Sequence, residues 1–192
     1  GVYALDAATG RRKWQARSEL QSYHSTSLAD LDGDGKPEIL YGDKNTRLFA
    51  ANARGEPLWN TQLGGRGIFF HPAIAAAAEP VIFQVVRGAG VEGSSLYALN
   101  AKGQIIDEAA LPGGGGSPPV LLRWAGAATL SLAVDDSARK VQLFGLAQTR
   151  IVWNGRQQTI RDAPRAAKAI FGPDPIRVIL MGNQAVKGLD RQ

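Results

Sequence analysis

The sequence has no cysteine and only two histidines among 192 residues. Without cysteine the chain has no disulfide bridge, no thiol nucleophile and no thiolate ligand for a metal. The histidines, His24 and His71, have no Ser- or Cys-containing catalytic signature beside them, so a hydrolytic triad has little support. No run of about 18 apolar residues occurs, which argues against a transmembrane segment.

Turn-forming residues, by contrast, are plentiful. The chain contains 23 Gly and 10 Pro, while hydrophobic residues make up 44% and charged residues 20% of the total. The hydrophobic and charged fractions are ordinary for a globular protein, and so much Gly and Pro favours many short strands joined by turns. The composition therefore indicates an all-β fold with a single core-forming domain.

A short sequence motif of small, acidic and aromatic residues recurs along the chain. Residues 3–10 read YALDAATG and are followed four positions later by a tryptophan. Residues 49–55 read FAANARG, with a tryptophan at the same distance, and residues 97–103 read YALNAKG, with an aspartate there instead. The residues at this position are Trp14, Trp59 and Asp107. A degenerate fourth copy starts at Phe144 and has its tryptophan at Trp153.

The spacing between the aromatic residues that begin each copy of the motif gives the period of the repeat. The aromatic position falls at Tyr3, Phe49, Tyr97 and Phe144, with a last partial copy at Lys187, giving spacings of 46, 48, 47 and 43 residues. Such a period is typical of the four-stranded antiparallel blades of a β-propeller. The chain is predicted to hold about four blades' worth of one propeller domain: a half-blade at 1–18, blades at about 22–63, 68–111 and 117–158, and a half-blade at about 164–190.

The tryptophans have a predicted structural role. An aspartate or asparagine and a following glycine favour a tight turn, and a small residue such as Ala4 leaves room for a neighbouring sheet. Large indole plates on the outer strands can then pack against the next blade. We expect Trp14, Trp59 and Trp153 to occupy equivalent positions and to dock successive blades together.

The first copy, with Ala4, Asp6, Thr9, Gly10 and Trp14, closely resembles the tryptophan-docking motif of pyrroloquinoline-quinone-like propellers. That family includes quinoprotein alcohol dehydrogenases and non-catalytic relatives, one of them the lipoprotein that scaffolds outer-membrane barrel assembly. The resemblance implies a propeller whose two terminal half-blades either combine into one composite blade or belong to a larger ring.

One acidic segment has the pattern of a cation-binding loop. Residues 30–38 read DLDGDGKPE, which places carboxylates at loop positions 1, 3, 5 and 9 and a backbone carbonyl at position 7. Oxygen ligands in this arrangement suit Ca²⁺. The segment resembles the calcium loops of integrin-type FG-GAP propeller repeats, and its expected ligands are Asp30, Asp32, Asp34, the Lys36 carbonyl and Glu38. A solvated acidic turn without metal is the alternative.

Charge is distributed unevenly. The net charge is +5, and residues 139–192 hold ten Lys and Arg against three Asp and Glu. A basic region of this kind attracts an acidic surface, whereas nucleic-acid binding is not expected because no basic run is interleaved with aromatic residues. The residues expected to bind a protein partner are Arg11, Arg12, Arg150, Arg156, Arg161, Arg165 and Lys168.

These features together predict a non-enzymatic propeller that serves as a scaffold or protein-interaction subunit of a larger assembly. A periplasmic or extracellular location is expected because a weak calcium loop needs calcium-rich surroundings. No catalytic residue and no pyrroloquinoline-quinone site are expected. The alternatives are a fragment of a quinoprotein dehydrogenase, which would be an oxidoreductase, and an extracellular carbohydrate-binding or carbohydrate-processing propeller.

Overall fold

The computed structural model describes residues 1–76, 79–88, 93–111, 114–123, 130–135, 140–147, 150–159, 166–169, 178–182 and 185–189. Side chains are described up to residue 151, except at 140, 147 and 150. Every regular element in these ranges is a β-strand. Within the same ranges, no helix has the length and apolar composition needed to cross a membrane.

Seventeen strands follow one another in the described ranges. They are β1 (Val2–Leu5), β2 (Arg12–Ala16), β3 (Ser27–Ala29), β4 (Glu38–Gly42), β5 (Arg47–Ala51), β6 (Pro57–Gln62), β7 (Ala73–Ala75), β8 (Val81–Val86), β9 (Ser94–Asn100), β10 (Ile105–Leu111), β11 (Val120–Arg123), β12 (Leu130–Asp135), β13 (Lys140–Ala147), β14 (Arg150–Thr159), β15 (Ala166–Ala169), β16 (Val178–Gly182) and β17 (Ala185–Leu189).

Three sheets are complete four-stranded antiparallel blades in which strand order follows chain order. The first blade contains β3 to β6, the second β7 to β10 and the third β11 to β14. The remaining strands form a two-stranded sheet, β1 with β2, and a three-stranded sheet, β15 to β17. The predicted all-β fold of repeated four-stranded blades is therefore confirmed.

Burial changes in a regular way across the first and second blades. The second strands, β4 and β8, are buried along their whole length, because sheets cover both of their faces. The fourth strands, β6 and β10, alternate between exposed and partly buried residues. Period-two alternation is the expected pattern for an outer strand with one face in solvent.

The hydrophobic core lies between neighbouring blades. One cluster joins the second and third blades through residues such as Phe83 and Phe144, both at most 1% exposed. A second cluster joins the first and second blades and includes Leu40 and Ile82, which are fully buried. Burying such side chains stabilises the fold by roughly 1.5–3 kcal/mol each. Neighbouring blades are thus held together by apolar contacts between their facing sides.

The two terminal sheets are not joined. Strands β1 and β2 pair only with each other, and β15 to β17 form a separate sheet among the described residues. The two-stranded sheet packs instead on the first blade, where Val2 and Trp14 contact the cluster around Tyr41 and Ala51. Among the described strands, the composite blade expected as one way of closing the ring is not formed.

Candidate functional site

The acidic loop joins β3 to β4 at one end of the first blade. Oxygen atoms of Asp30, Asp32 and Glu38 lie within 4.8 Å of one another. The two aspartates are exposed, whereas Glu38 is buried, with 3% of its surface accessible. The loop therefore holds a buried carboxylate at the base of an open acidic cup.

Backbone amides position these carboxylates. Asp30 accepts hydrogen bonds from the N–H groups of Gly33 at 2.8 Å and Gly35 at 2.9 Å, one on each oxygen. Glu38 accepts a hydrogen bond from the N–H of Leu31 at 2.7 Å. Because a buried carboxylate needs such donors, this bond fixes Glu38 in the cup. Three carboxylates close together provide the hard oxygen ligands that Ca²⁺ prefers.

Asp34 lies outside the group of three. Its carboxylate accepts a hydrogen bond from the backbone N–H of Lys36 at 2.7 Å and forms an ion pair with Nζ of the same residue at 3.0 Å. The hydrogen bond from the Lys36 side chain, followed by the one from its backbone, lowers the pKa of Asp34 below its usual value. Of the five expected ligands, the structure brings together Asp30, Asp32 and Glu38.

The indoles of Trp14 and Trp59 dock blades in the same way. Trp14 Nε1 donates to the carbonyl of Ala53 at 3.1 Å, and Trp59 Nε1 donates to the carbonyl of Ala101 at 2.9 Å. Each acceptor lies two residues before the glycine of the next blade's turn. Each tryptophan thus ties its own strand, β2 or β6, to the following blade.

The strand register shows where the tryptophan position of the motif lies in the second and third blades. Trp14, Trp59 and Asp107 lie opposite the small residues Ala4, Ala50 and Ala98 of the preceding strand. In the third blade, Trp153 lies opposite Phe144 in the same relation, although its side chain is outside the described residues.

The register defines the positions that Phe144 and Asp107 occupy in the repeated motif. Phe144 occupies the position of the small residue, not of the aromatic residue with which the repeat aligned it, because β13 is offset by one residue. Asp107 stands where the motif has tryptophan, and its carboxylate accepts a hydrogen bond from the backbone N–H of Ile151 at 2.6 Å. A carboxylate therefore replaces the indole as the tie to the next blade.

The expected partner-binding residues are only partly described. Arg11 and Arg12 are exposed at the turn of the two-stranded sheet, and Cζ of Arg12 lies 5.8 Å from the centre of the Tyr3 ring. Only the backbone of Arg150, Arg156 and Lys168 is described, at strands β14 and β15, and Arg161 and Arg165 lie outside the described residues. Because β1 and β2 do not pair with β15 to β17, no shared blade brings these two sets together.

His24 has a structural position. Its Nε2 accepts a hydrogen bond from the N–H of Gly42 at 3.1 Å, and Nδ1 donates to the carbonyl of Ser25 at 2.7 Å. Burial lowers the pKa of His24, and the nearby His71 lowers it further. The imidazole links the segment before β3 to the strand β4.

A group of residues at the other end of the first and second blades was missed by sequence reasoning. Tyr23, Lys44, Arg66, Phe69 and Arg87 lie there in the connections that join blades and in the β4–β5 and β8–β9 hairpins. Tyr23 and Phe69 stack with ring centres 6.1 Å apart. The five residues are dispersed over more than 60 positions and form no local motif, so no sequence signal could have found them.

Comparison with known proteins gives structural likeness only. No family model and no curated protein matches the sequence. Among solved structures, BamB from Moraxella catarrhalis superposes with a TM-score of 0.58 and 15% identity over 94% of this chain. Quinohemoprotein alcohol dehydrogenase from Comamonas testosteroni gives 0.60 and 14% over 98% of this chain, and BBS1N, solved in complex with ARL6DN, gives 0.58 and 14% over 90%.

The chain spans only part of these proteins: 50% of the BamB chain, 38% of the dehydrogenase chain and 56% of the BBS1N chain. Identities near 15% establish a shared fold and leave activity open. The fold of this chain is that of the pyrroloquinoline-quinone-like β-propellers.

Proposed function

We propose that the chain is a non-enzymatic β-propeller scaffold, a protein-interaction subunit of a larger extracytoplasmic assembly. The observation that carries this proposal is the docking of successive blades through Trp14 and Trp59, which fixes the blades while their connecting loops stay exposed. A rigid framework with exposed loops suits protein recognition, because little conformational entropy is lost on binding. The structural likeness to BBS1N, itself solved with a partner, supports the same role.

Calcium binding by the acidic loop is part of this proposal. Asp30, Asp32 and Glu38 would supply the side-chain ligands, and the metal would tie the β3–β4 connection to the base of β4. Calcium sites in extracellular modules commonly have millimolar to submillimolar dissociation constants, so a loop of this kind fits an extracytoplasmic protein.

The likeness to a quinohemoprotein dehydrogenase supports a second candidate, a fragment of a quinoprotein oxidoreductase. The two candidates differ in what the isolated chain does. A dehydrogenase fragment should bind pyrroloquinoline quinone, whereas a scaffold should form a stoichiometric complex with another protein and show no quinone binding.

The experiment is affinity capture of partners by the chain, followed by size-exclusion chromatography of the recovered complex, with quinone titration in parallel. We expect a complex of fixed stoichiometry and no quenching of tryptophan fluorescence by the quinone. Saturable quinone binding with calcium present, together with dye reduction by an alcohol, would favour the enzyme.

A further inference from the structure

Five residues form a cation–aromatic cluster at the end of the blades opposite the acidic loop: Tyr23, Lys44, Arg66, Phe69 and Arg87. The rings of Tyr23 and Phe69 stack, with planes 18° from parallel. Lys44 Nζ lies 6.0 Å from the centre of the Tyr23 ring, and Arg87 Cζ lies 5.7 Å from that of Phe69. Arg66 is adjacent, since its backbone N–H donates to the carbonyl of Arg87 at 2.7 Å.

Backbone hydrogen bonds hold the segments of the cluster together. The N–H of Lys44 donates to the carbonyl of Gln21 at 3.0 Å, which joins the β4–β5 hairpin to the connection that carries Tyr23. The N–H of Arg87 donates to the carbonyl of Gly67 at 3.2 Å, and these two residues form an isolated β-bridge. The surface is therefore organised before anything binds, which lowers the entropic cost of binding.

The positive charges of the cluster are not neutralised within the described part of the chain. Its three cations form no ion pair with a described carboxylate. Glu19, which lies beside the cluster, pairs with Arg47 at 2.7 Å. Asp43 is fully buried and accepts hydrogen bonds from the N–H groups of Asn45 and Arg47. The surface thus presents cations whose natural complement is a set of carboxylates.

Apolar surface accompanies this charge. Tyr23 is 54% exposed and Leu20 is 50% exposed. An open depression of about 690 Å³ shares Lys44 and Arg66 with the cluster, and its other lining residues are Gly1, Glu19, Leu20 and Gln21. A ligand that fits this surface therefore has an apolar side chain as well as acidic groups.

A nucleic-acid strand fits the cluster less well than an acidic polypeptide. Binding of single strands without sequence preference uses aromatic faces on which bases stack. Here Tyr23 and Phe69 each already have a ring and a cation as neighbours. A base would have to displace one of these partners, whereas carboxylates can pair with the cations while the rings stay in place.

We propose that the cation–aromatic cluster is the docking site for an acidic peptide segment that carries an apolar side chain. This inference rests on the proposed interaction function and assigns it to a surface distinct from the one around Arg11 and Arg12. Carboxylates of the segment pair with Lys44, Arg66 and Arg87, and its apolar side chain lies in the depression beside Leu20.

The test is fluorescence anisotropy with a short labelled peptide of alternating Asp and Glu with one Phe. We expect the double variant Lys44→Glu/Arg87→Glu to bind this peptide at least about tenfold more weakly than the wild type at roughly 50 mM salt. The matched control is Arg54→Glu/Lys102→Glu, which makes the same charge change in exposed turns at the acidic-loop end, and its affinity should stay within about twofold. A peptide with Gln and Asn in place of the acids should bind as weakly as the double variant does.

The assignment is overturned if the double variant binds the acidic peptide like the wild type, or if a poly-thymidine strand of equal length binds more tightly. It is also overturned if Arg11→Glu/Arg12→Glu alone abolishes peptide binding, a result that leaves the interaction function intact and moves it to the other surface. Failure of the proposed function has a different signature, namely quinone binding without any stoichiometric partner complex.

Discussion

The indole ring of Trp59 lies directly over the α-carbon of Gly103 in the next blade. A Cβ atom on Gly103 would come within 2.5 Å of the Trp59 ring, and one on Gly55 would come within 2.6 Å of the Trp14 ring. Both glycines have φ near +80°. The turn glycine therefore has two roles, because it adopts a left-handed conformation and also leaves space for the neighbouring tryptophan.

Replacing Gly103 with alanine should destabilise the protein strongly. The substitution introduces a left-handed alanine, which costs about 1–2 kcal/mol, and an overlap with the Trp59 ring, which costs about 1–3 kcal/mol more. Gly10→Ala is the matched control, since Gly10 has φ 70° and no described atom within 4 Å of the new Cβ. Urea denaturation should show a larger loss of unfolding free energy for Gly103→Ala, and equal losses would argue that the indole contact contributes nothing.

Replacing Asp107 tests the carboxylate tie between the second and third blades. In Asp107→Ala the N–H of Ile151, which is 9% exposed, loses its acceptor. The expected cost is about 1–3 kcal/mol of unfolding free energy. Asp107→Asn keeps a side-chain oxygen and should lose clearly less. A smaller loss for the alanine variant than for the asparagine variant would contradict the proposed tie.

The blade architecture could be read from the sequence because it is encoded by a repeated local pattern. The turn of Asp6 and Gly10 and the tryptophan four residues later are fixed by backbone conformation and by spacing, which are visible without a structure. The acidic loop was visible for the same reason. Its three clustered carboxylates lie within nine consecutive residues.

Most of the remaining features depend on contacts between distant residues. Stacking of Tyr23 on Phe69 needs two inter-blade connections to meet, and sequence gives no sign of that meeting. The orientation of Asp34 could not be predicted either, because its carboxylate can either join the other acidic ligands of the loop or form an ion pair with Lys36, and the sequence allows both. Separation of the terminal sheets also depends on long-range packing, and not on their strand content.

Calcium should bind the acidic loop and raise the thermal stability of the protein, since a ligand that binds only the folded state stabilises it. Asp30→Asn removes charge from the clustered carboxylates and should reduce calcium affinity by at least about tenfold. Asp34→Asn is the matched control, because Asp34 faces Lys36, and it should change affinity by no more than about threefold. Calorimetry at millimolar calcium measures both, and no uptake by the wild-type chain would exclude the site.

Stability should fall as the pH is lowered through the titration of His24. Burial, with a smaller contribution from His71, lowers the pKa of His24 below its ordinary value of 6.5. The folded state therefore binds the proton less readily than the unfolded state does. The stabilisation is fully present above pH 6.5 and is lost as the pH falls towards and through the lowered folded-state pKa.

In the folded state His24 Nε2 also accepts the N–H of Gly42, a hydrogen bond that the protonated ring cannot make because it has no lone pair at that nitrogen. Urea denaturation at a series of pH values between about 5 and 7.5 measures the effect. His24→Gln keeps an acceptor but does not titrate, so its stability should depend less on pH across this range than that of the wild type. Burial also lowers the pKa of His71, so His71→Gln, which keeps the Gly42 hydrogen bond, should lose part of the pH dependence, but a smaller part than His24→Gln loses. Equal pH dependence in His24→Gln and the wild type would place the titrating group elsewhere.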